Sequence, residues 1–163
     1  MPPSHTAVIG IDPGLRGAIV TMETATGTII DKVPLSDEIL TTYRYLYQIK
    51  AQHPSLMIAL EKPAVIKGRS SLVGSFTMGR NFGALEAAIR LLYVPCQIIP
   101  PVTWTSEMHK GADGPDPKAK SLSVAKRLWP WEKFVFDEEK QRKPHDGIVD
   151  AMLIAEFLRR RIR

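Results

Sequence analysis

Four acidic side chains occupy positions where a carboxylate needs a partner. Asp12 ends one short apolar run, Glu61 ends another, and Asp146 and Asp150 are four residues apart in a predicted helix. Side chains four apart project from the same face of a helix. A carboxylate in apolar surroundings requires a compensating charge, either a Lys or Arg side chain or a metal ion. These acids are therefore the first candidates for chemistry.

Each acid also has a structural explanation. Asp12 could initiate the turn at Pro13-Gly14, Glu61 could be an ordinary strand-end acid, Asp146 could complement a helix dipole, and Asp150 could belong to an ion pair. Taken together, they favour convergence on one point of a mixed sheet. An all-oxygen cluster suits Mg²⁺, with Mn²⁺ as a substitute. Together with a basic surface, such a cluster predicts two-metal hydrolysis of a phosphodiester bond.

Positive charge is concentrated in two stretches of the chain. The 163 residues include 22 Lys and Arg against 17 Asp and Glu, a net charge of +5. The segments 62–90 and 110–127 each contain five basic residues, against one and two acids respectively. A localised basic surface favours an anionic partner, most often nucleic acid.

Composition excludes several other classes of protein. Apolar residues make up 44% of the chain, which argues against disorder, and the single cysteine, Cys96, allows no internal disulfide. No apolar stretch approaches the roughly 18 residues of a membrane span, and no signal or transit peptide pattern precedes residue 7. We expect a cytoplasmic protein with no membrane partner.

The apolar pattern predicts a single α/β domain over residues 1–163, with a five-stranded mixed sheet and helices on both faces. Residues 63–80 are expected to form a loop, and Pro100-Pro101 is expected to close the last strand. The predicted strands are Ala7–Asp12, Gly17–Met22, Thr28–Val33, Leu56–Glu61 and Pro95–Ile99. One predicted helix begins at Ser36, and a second covers Asn81–Tyr93. A third begins at Asp116-Pro117, and the last runs from Pro144 to about Arg160.

Four motifs occur in the order found in RuvC-type Holliday junction resolvases. They are Ile9–Gly14, Ala59–Pro63, Gly83–Ala87 and His145–Ala151. The chain resembles the small phage, bacterial and plastid members of that family. The resemblance implies an RNase H-like fold, a homodimer, Mg²⁺ dependence and paired cutting of four-way DNA junctions. It also implies a location in a bacterial cytoplasm, phage-encoded or nucleoid-associated, with a mature organellar form as an alternative.

The resemblance assigns Asp12, Glu61, Asp146 and Asp150 as metal-binding catalytic carboxylates. Many relatives carry the two helix acids three residues apart, whereas here the spacing is four. His145 is therefore a possible substitute ligand or outer-shell group.

Two lysines stand in the first turn of the helix that starts at Asp116-Pro117, where cations oppose the helix dipole. Lys118 and Lys120 are expected to contact phosphate, with a solvated helix start as the alternative. Lys118 also matches a lysine near the active site of the family, so it is a catalytic candidate. Many relatives have another Lys after a Thr-Trp pair. Here Thr105 takes that place, so this DNA contact is missing or displaced to Lys110.

Further DNA contacts are expected after Glu61. Arg69, Arg80 and Asn81 are candidate backbone contacts, with an ordinary polar loop as the alternative. Phe76 is a candidate wedge at the exchange point of a junction, with core packing or a dimer contact as alternatives. The expected dimer surface is the helix Asn81–Tyr93 with the stretch before it, which carries the apolar residues Phe76, Met78, Phe82 and Leu85.

The leading prediction is a junction-resolving endonuclease. The alternatives are an RNA nuclease of the same fold, of the rRNA-processing type, and a non-catalytic junction-binding protein. An actin-like phosphotransferase is disfavoured because it needs two such domains.

Overall fold

A computed structural model describes residues 5–64 and 71–162. The strands are β1 (Ala7–Asp12), β2 (Ala18–Glu23), β3 (Ile29–Pro34), β4 (Leu56–Glu61) and β5 (Cys96–Ile99). They form one sheet in the order β3-β2-β1-β4-β5. The pairs β1–β2 and β2–β3 are antiparallel, whereas β1–β4 and β4–β5 are parallel. This confirms the predicted five-stranded mixed sheet.

The helices cover both faces of the sheet. They are α1 (Ile39–Gln52), α2 (Leu72–Leu91), α3 (Pro101–Met108), α4 (Pro117–Leu128) and α5 (Asp146–Arg161). Residues of α1 and α2 pack with one face of the central strands, and residues of α3, α4 and α5 pack with the other. The alternation of side chains along β1 explains the two cores, because Val8 faces one and Ile9 faces the other. Among the described residues, no helix is long and apolar enough to cross a membrane.

Helix α2 is longer than the sequence pattern predicts. The segment up to residue 80 was expected to be a loop, but the helix begins at Leu72. Ser71 caps it, since its hydroxyl accepts a hydrogen bond from the Gly74 N–H at 3.0 Å. The apolar pattern before Asn81 is interrupted by small and polar residues, and this obscured the first two turns.

Helix α3 is absent from the predicted elements. Pro100-Pro101 does close β5, but Pro101 also begins α3 at its first position. Proline suits that position because its fixed φ is helical and its missing N–H is not needed there. Ser36 caps no helix; its hydroxyl accepts a hydrogen bond from the Glu38 N–H, and α1 begins at Ile39.

Leu85 does not belong to a dimer surface, contrary to the prediction. Its side chain is 2% exposed and packs in the core beneath α2. Phe82 is partly buried against the same core. The exposed large apolar residues of α2 are Leu72, Val73 and Phe76 in its first part and Leu91 at its last residue.

Helix α5 lies directly on β1, and a glycine permits the contact. A Cβ atom at Gly10 would lie 2.1 Å from the carbonyl oxygen of Ala151 and 2.5 Å from the nitrogen of Ala155. At the start of α5, a Cβ atom at Gly147 would lie 2.1 Å from the carbonyl oxygen of Arg16. Only glycine leaves room for the backbone at these two places. The beginning of α5 is therefore held against the loop that follows Asp12.

The other end of α5 is fixed by a buried ion pair. Glu156 accepts hydrogen bonds from Arg159 Nε at 2.6 Å and from Arg160 Nε at 2.8 Å. Burial alone would raise the pKa of Glu156, but the bonds from the two arginines hold it below its ordinary value. Arg159 also donates to the Thr24 carbonyl oxygen at 3.3 Å, which ties α5 to the end of β2.

We expect Gly10→Ala to lower the free energy of unfolding by about 1–3 kcal/mol, because the added methyl group must push α5 away from β1. Urea unfolding measures the change. Gly83→Ala is the matched control, since a Cβ atom there meets nothing within 4 Å and alanine favours an exposed helix by up to about 1 kcal/mol. Equal stability of the two variants would contradict the described packing of α5.

Candidate active site

The four predicted carboxylates lie at one edge of the sheet. Asp12 and Glu61 end the adjacent parallel strands β1 and β4, one residue beyond the paired Ile11 and Leu60. Helix α5 packs on β1 and presents its acids beside them. The acids are close enough to repel one another. The charge of Asp146 acts on Asp12, and the charges of Asp12 and Asp150 act on Glu61. Residues far apart in the sequence are thus brought into one negative cluster.

Burial and mutual repulsion raise the pKa values of three of these acids, Asp12, Glu61 and Asp150. Burial raises the pKa of Glu61 to about 7, and the charges of Asp12 and Asp150 add to the shift. Burial likewise raises the pKa of Asp150 to about 7, reinforced by Asp12 and Asp146. The pKa of Asp12 is raised by burial too, although a hydrogen bond from Gly14 opposes the change. The cluster lacks enough positive charge to compensate its carboxylates.

Neutral donors hold the three most buried carboxylates. Asp12 Oδ1 accepts a hydrogen bond from the Gly14 N–H at 2.9 Å, and Glu61 Oε2 accepts one from Trp104 Nε1 at 2.5 Å. The Ser121 hydroxyl is near enough to Asp150 to oppose the rise in its pKa. The apolar pattern identifies Trp104 only as a packing residue, and Ser121 carries no signal in the sequence.

Positive charge lies at the rim of the cluster. Lys118 Nζ is 2.7 Å from Asp146 Oδ2, and both side chains are more than half exposed. The hydrogen bond to Asp146, with the charges of Asp146 and Asp150, raises the pKa of Lys118. Arg16 is near enough to Lys118 and His145 to affect both. Its position in the loop after Asp12 is the sequence signal that could have identified it.

His145 precedes the first residue of α5 and is 9% exposed. Its ring packs edge-on against Phe136 with the ring centres 4.7 Å apart. Burial, followed by the charge of Arg16, lowers the pKa of His145. Its buried Nδ1 has no hydrogen-bond partner among the described residues.

The residues expected to contact DNA are distributed around this edge. Arg80 and Asn81 line a groove of about 640 Å³ together with Pro13 and Gly14, which directly follow Asp12. Phe76 is 73% exposed on α2, one turn before Arg80.

The remaining basic candidates are Lys120, Lys110 and Arg69. Lys120 is near enough to His109 to lower the pKa of that ring, after the larger effect of burial. Lys110 is exposed beyond α3. Arg69 lies outside the described residues.

Solved structures with the same architecture include T. thermophilus RuvC in complex with Holliday junction substrate. Its TM-score is 0.65 at 14% identity, with 96% of each chain covered. The chain has the RNase H-like fold of RuvC. A second T. thermophilus RuvC structure gives a TM-score of 0.60 at 18% identity, over 95% of this chain and 96% of that one.

The yeast mitochondrial Holliday junction resolvase Ydc2 gives a TM-score of 0.63 at 14% identity, over 97% of this chain and 79% of that one. No protein-family model matches the sequence, and no curated protein matches it. At these identities the likeness confirms the predicted RNase H-like fold.

The chemistry of this acidic cluster fits a hard divalent cation. All four acids offer oxygen ligands, which Mg²⁺ and Mn²⁺ prefer, and three of them are short of compensating charge. Within residues 5–64 and 71–162, however, no three Asp, Glu, His or Cys side chains are already placed to hold an ion.

In EDTA, we expect Asp150→Asn to be more stable than the wild type at about pH 8, by about 1–3 kcal/mol. The raised pKa of Asp150 means that folding favours its protonated form, so its contribution to stability falls as pH rises from about 4 through about 7. The advantage of the variant should therefore shrink as the pH falls towards 4. Urea unfolding at several pH values measures it.

Asp113→Asn is the control, because Asp113 is an exposed loop acid and its removal should change stability little at any pH. A loss of stability in Asp150→Asn at about pH 8 would contradict an uncompensated acidic cluster.

Proposed function

We propose that this protein is an endonuclease that resolves four-way DNA junctions by paired symmetric nicks. The observation that carries the proposal is the convergence of Asp12, Glu61, Asp146 and Asp150 at one edge of a RuvC-like sheet. One structure with this fold is described as RuvC in complex with Holliday junction substrate. The activity is a metal-dependent hydrolysis of phosphodiester bonds.

Asp12, Glu61, Asp146 and Asp150 would hold the ions, Mg²⁺ or its substitute Mn²⁺. When bound, two such ions supply a nucleophile at neutral pH and stabilise the charge that develops on the leaving oxygen. Asp146 is already turned towards solvent, where Lys118 orients it. Lys118 is the second catalytic candidate at the rim, since its ammonium group is exposed and can bind the phosphate that is cut.

The described surface offers a path for the DNA backbone on both sides of the acids. On one side, Arg80 and Asn81 line the groove beside Asp12. On the other, Lys118 and Lys120 stand in the first turn of α4, with Arg16 nearby. Arg69 completes the proposed set of DNA contacts. Backbone contacts of this kind position nucleic acid without reading its sequence.

Phe76 is the proposed wedge at the exchange point. Its side chain is 73% exposed and lies one helical turn before Arg80 on α2. A large apolar residue that is not needed in the core, and that stands beside a DNA contact, suits insertion between unstacked bases.

Two sites related by a two-fold axis are needed for paired cuts, and a homodimer supplies them. Leu72 and Val73 form an exposed apolar surface at the start of α2, 92% and 75% exposed respectively. Such a surface is typical of an interface when it is contiguous. We place the dimer contact there.

We expect the wild type to cut an immobile four-way junction in Mg²⁺, and to leave a duplex, a flap and a structured RNA largely intact. Asp150→Asn and Glu61→Gln should bind the junction like the wild type and lose cleavage by at least about 100-fold, because each loses an anionic metal ligand while its shape is retained. Gel assays of binding and cutting test both points.

Preferential cutting of the RNA would favour an RNA nuclease of the same fold. Junction binding without cleavage in Mg²⁺ or Mn²⁺ would indicate a junction-binding protein. Wild-type rates in both variants would contradict the proposed site.

Lys118→Ala should reduce the salt dependence of junction binding. Each phosphate contact adds about −0.9 to the slope of log affinity against log salt for duplex arms, so the slope should become shallower by about that amount. Arg44→Ala is the control, because Arg44 is an exposed cation on α1. An unchanged slope in Lys118→Ala would mean that Lys118 serves only Asp146.

Sedimentation at micromolar concentration should give about twice the monomer mass of 18.2 kDa. Val73→Asp should reduce the mass to that of the monomer, because the substitution places a charge in the proposed apolar contact. Tyr47→Asp is the control, since Tyr47 is an exposed apolar residue of α1.

The wild type should linearise a cruciform plasmid by paired nicks in one binding event. A monomer that releases mainly singly nicked plasmid would contradict both the dimer and the resolvase activity.

A further inference from the structure

A chain of uncharged side chains from α3 and α4 connects Glu61 with Asp150. Trp104 Nε1 donates to Glu61 Oε2 at 2.5 Å. The ring of Trp104 meets the ring of His109 edge-on, with the centres 5.7 Å apart. His109 Nε2 lies 3.0 Å from Ser121 Oγ, and the hydroxyl of Ser121 is near enough to Asp150 to oppose the rise in the pKa of that carboxyl.

The direction of each hydrogen bond follows from the groups involved. An ionised Asp150 only accepts, so the single proton of the Ser121 hydroxyl must point to it. Ser121 Oγ then has only acceptor capacity left for His109, and His109 Nε2 must carry the proton that it donates. When Asp150 is ionised, this arrangement fixes the tautomer of His109, and the hydrogen bond from His109 supports the contact of Ser121 with Asp150.

The absence of charge in this chain matters for a metal site. Trp104 and Ser121 each occupy part of the acceptor capacity of a carboxylate and bring no positive charge of their own. A Lys or Arg at either place would compete with a cation for the carboxylate, as Lys118 does at Asp146. Both donors are also 3% exposed, so water does not replace them readily.

We propose that Trp104, His109 and Ser121 are positioning residues that hold Glu61 and Asp150 in the orientation from which both bind divalent metal. The proposal rests on the proposed function only in taking these two acids as metal ligands. Groups that orient metal ligands from behind typically change metal affinity by about 10–100-fold when removed. Trp104, His109 and Ser121 therefore act through the two carboxylates and not through a contact with DNA.

Calorimetric titration of the DNA-free protein with Mg²⁺ tests the proposal directly. Trp104→Phe and Ser121→Ala should each weaken Mg²⁺ binding by about 10–100-fold, and Ser121→Thr, which keeps the hydroxyl, should restore it. Trp129→Phe is the matched control. Trp129 is 4% exposed and donates its indole N–H to the Gly27 carbonyl at 2.9 Å rather than to an acid.

Thermal unfolding of the same variants separates positioning from general destabilisation. Trp104→Phe and Trp129→Phe each remove one indole bond and the same volume from the core, so both should lose stability. Only Trp104→Phe should lose Mg²⁺ affinity. Equal weakening in Trp129→Phe, wild-type affinity in both Trp104→Phe and Ser121→Ala, or no Mg²⁺ binding by the wild type would overturn the proposal.

Junction cleavage against Mg²⁺ concentration provides a second readout. Trp104→Phe and Ser121→Ala should need about 10–100-fold more Mg²⁺ for half-maximal cutting, while their affinity for the junction in Ca²⁺ stays at the wild-type value. If the wild type cuts no nucleic acid yet binds Mg²⁺, and these variants bind it more weakly, the positioning role stands and the proposed function is wrong.

Discussion

The close contact between α5 and β1 is the constraint on which the remainder of the structure depends. A helix normally stands off from a sheet by the length of its side chains, but here Gly10 lets the backbones of Ala151 and Ala155 come against the strand. This contact sets how far Asp150 stands from Asp12. Arg159, which pairs with Glu156 within α5, donates to the Thr24 carbonyl oxygen and fixes the same helix at its other end, so α5 is positioned along its length.

The resulting site is electrostatically unfavourable by itself. Burial raises the pKa values of Asp12, Glu61 and Asp150, and their neighbours in the cluster add to the effect. Proteins tolerate such local conflict where function requires it, because the surrounding core supplies the stability. The apolar packing on both faces of the sheet fulfils that role here. The donors that hold the acids are neutral, so they preserve the negative charge that a cation would neutralise.

Much of this arrangement is predictable from the sequence. The remainder is not predictable, and particular residues show why. The strand ends at Asp12 and Glu61 are marked by apolar runs, and the four-residue spacing of Asp146 and Asp150 indicates their shared helix face. The links from Glu61 to Trp104 and from Asp150 to Ser121 join residues 43 and 29 positions apart. No local pattern marks such pairs, since only the packing of α3 and α4 brings them together.

The division of the acids between distant parts of the chain has a consequence for biosynthesis. Asp12 and Glu61 are made early, whereas Asp146 and Asp150 arrive with α5, after every strand of the sheet. In a nascent or partly folded molecule, α5 has not yet packed on the sheet. Such a molecule lacks Asp146 and Asp150 at the acidic cluster, and it also lacks much of one hydrophobic core. The four acids can therefore act together only after the fold is complete, so any chemistry that needs all four is withheld from the immature chain.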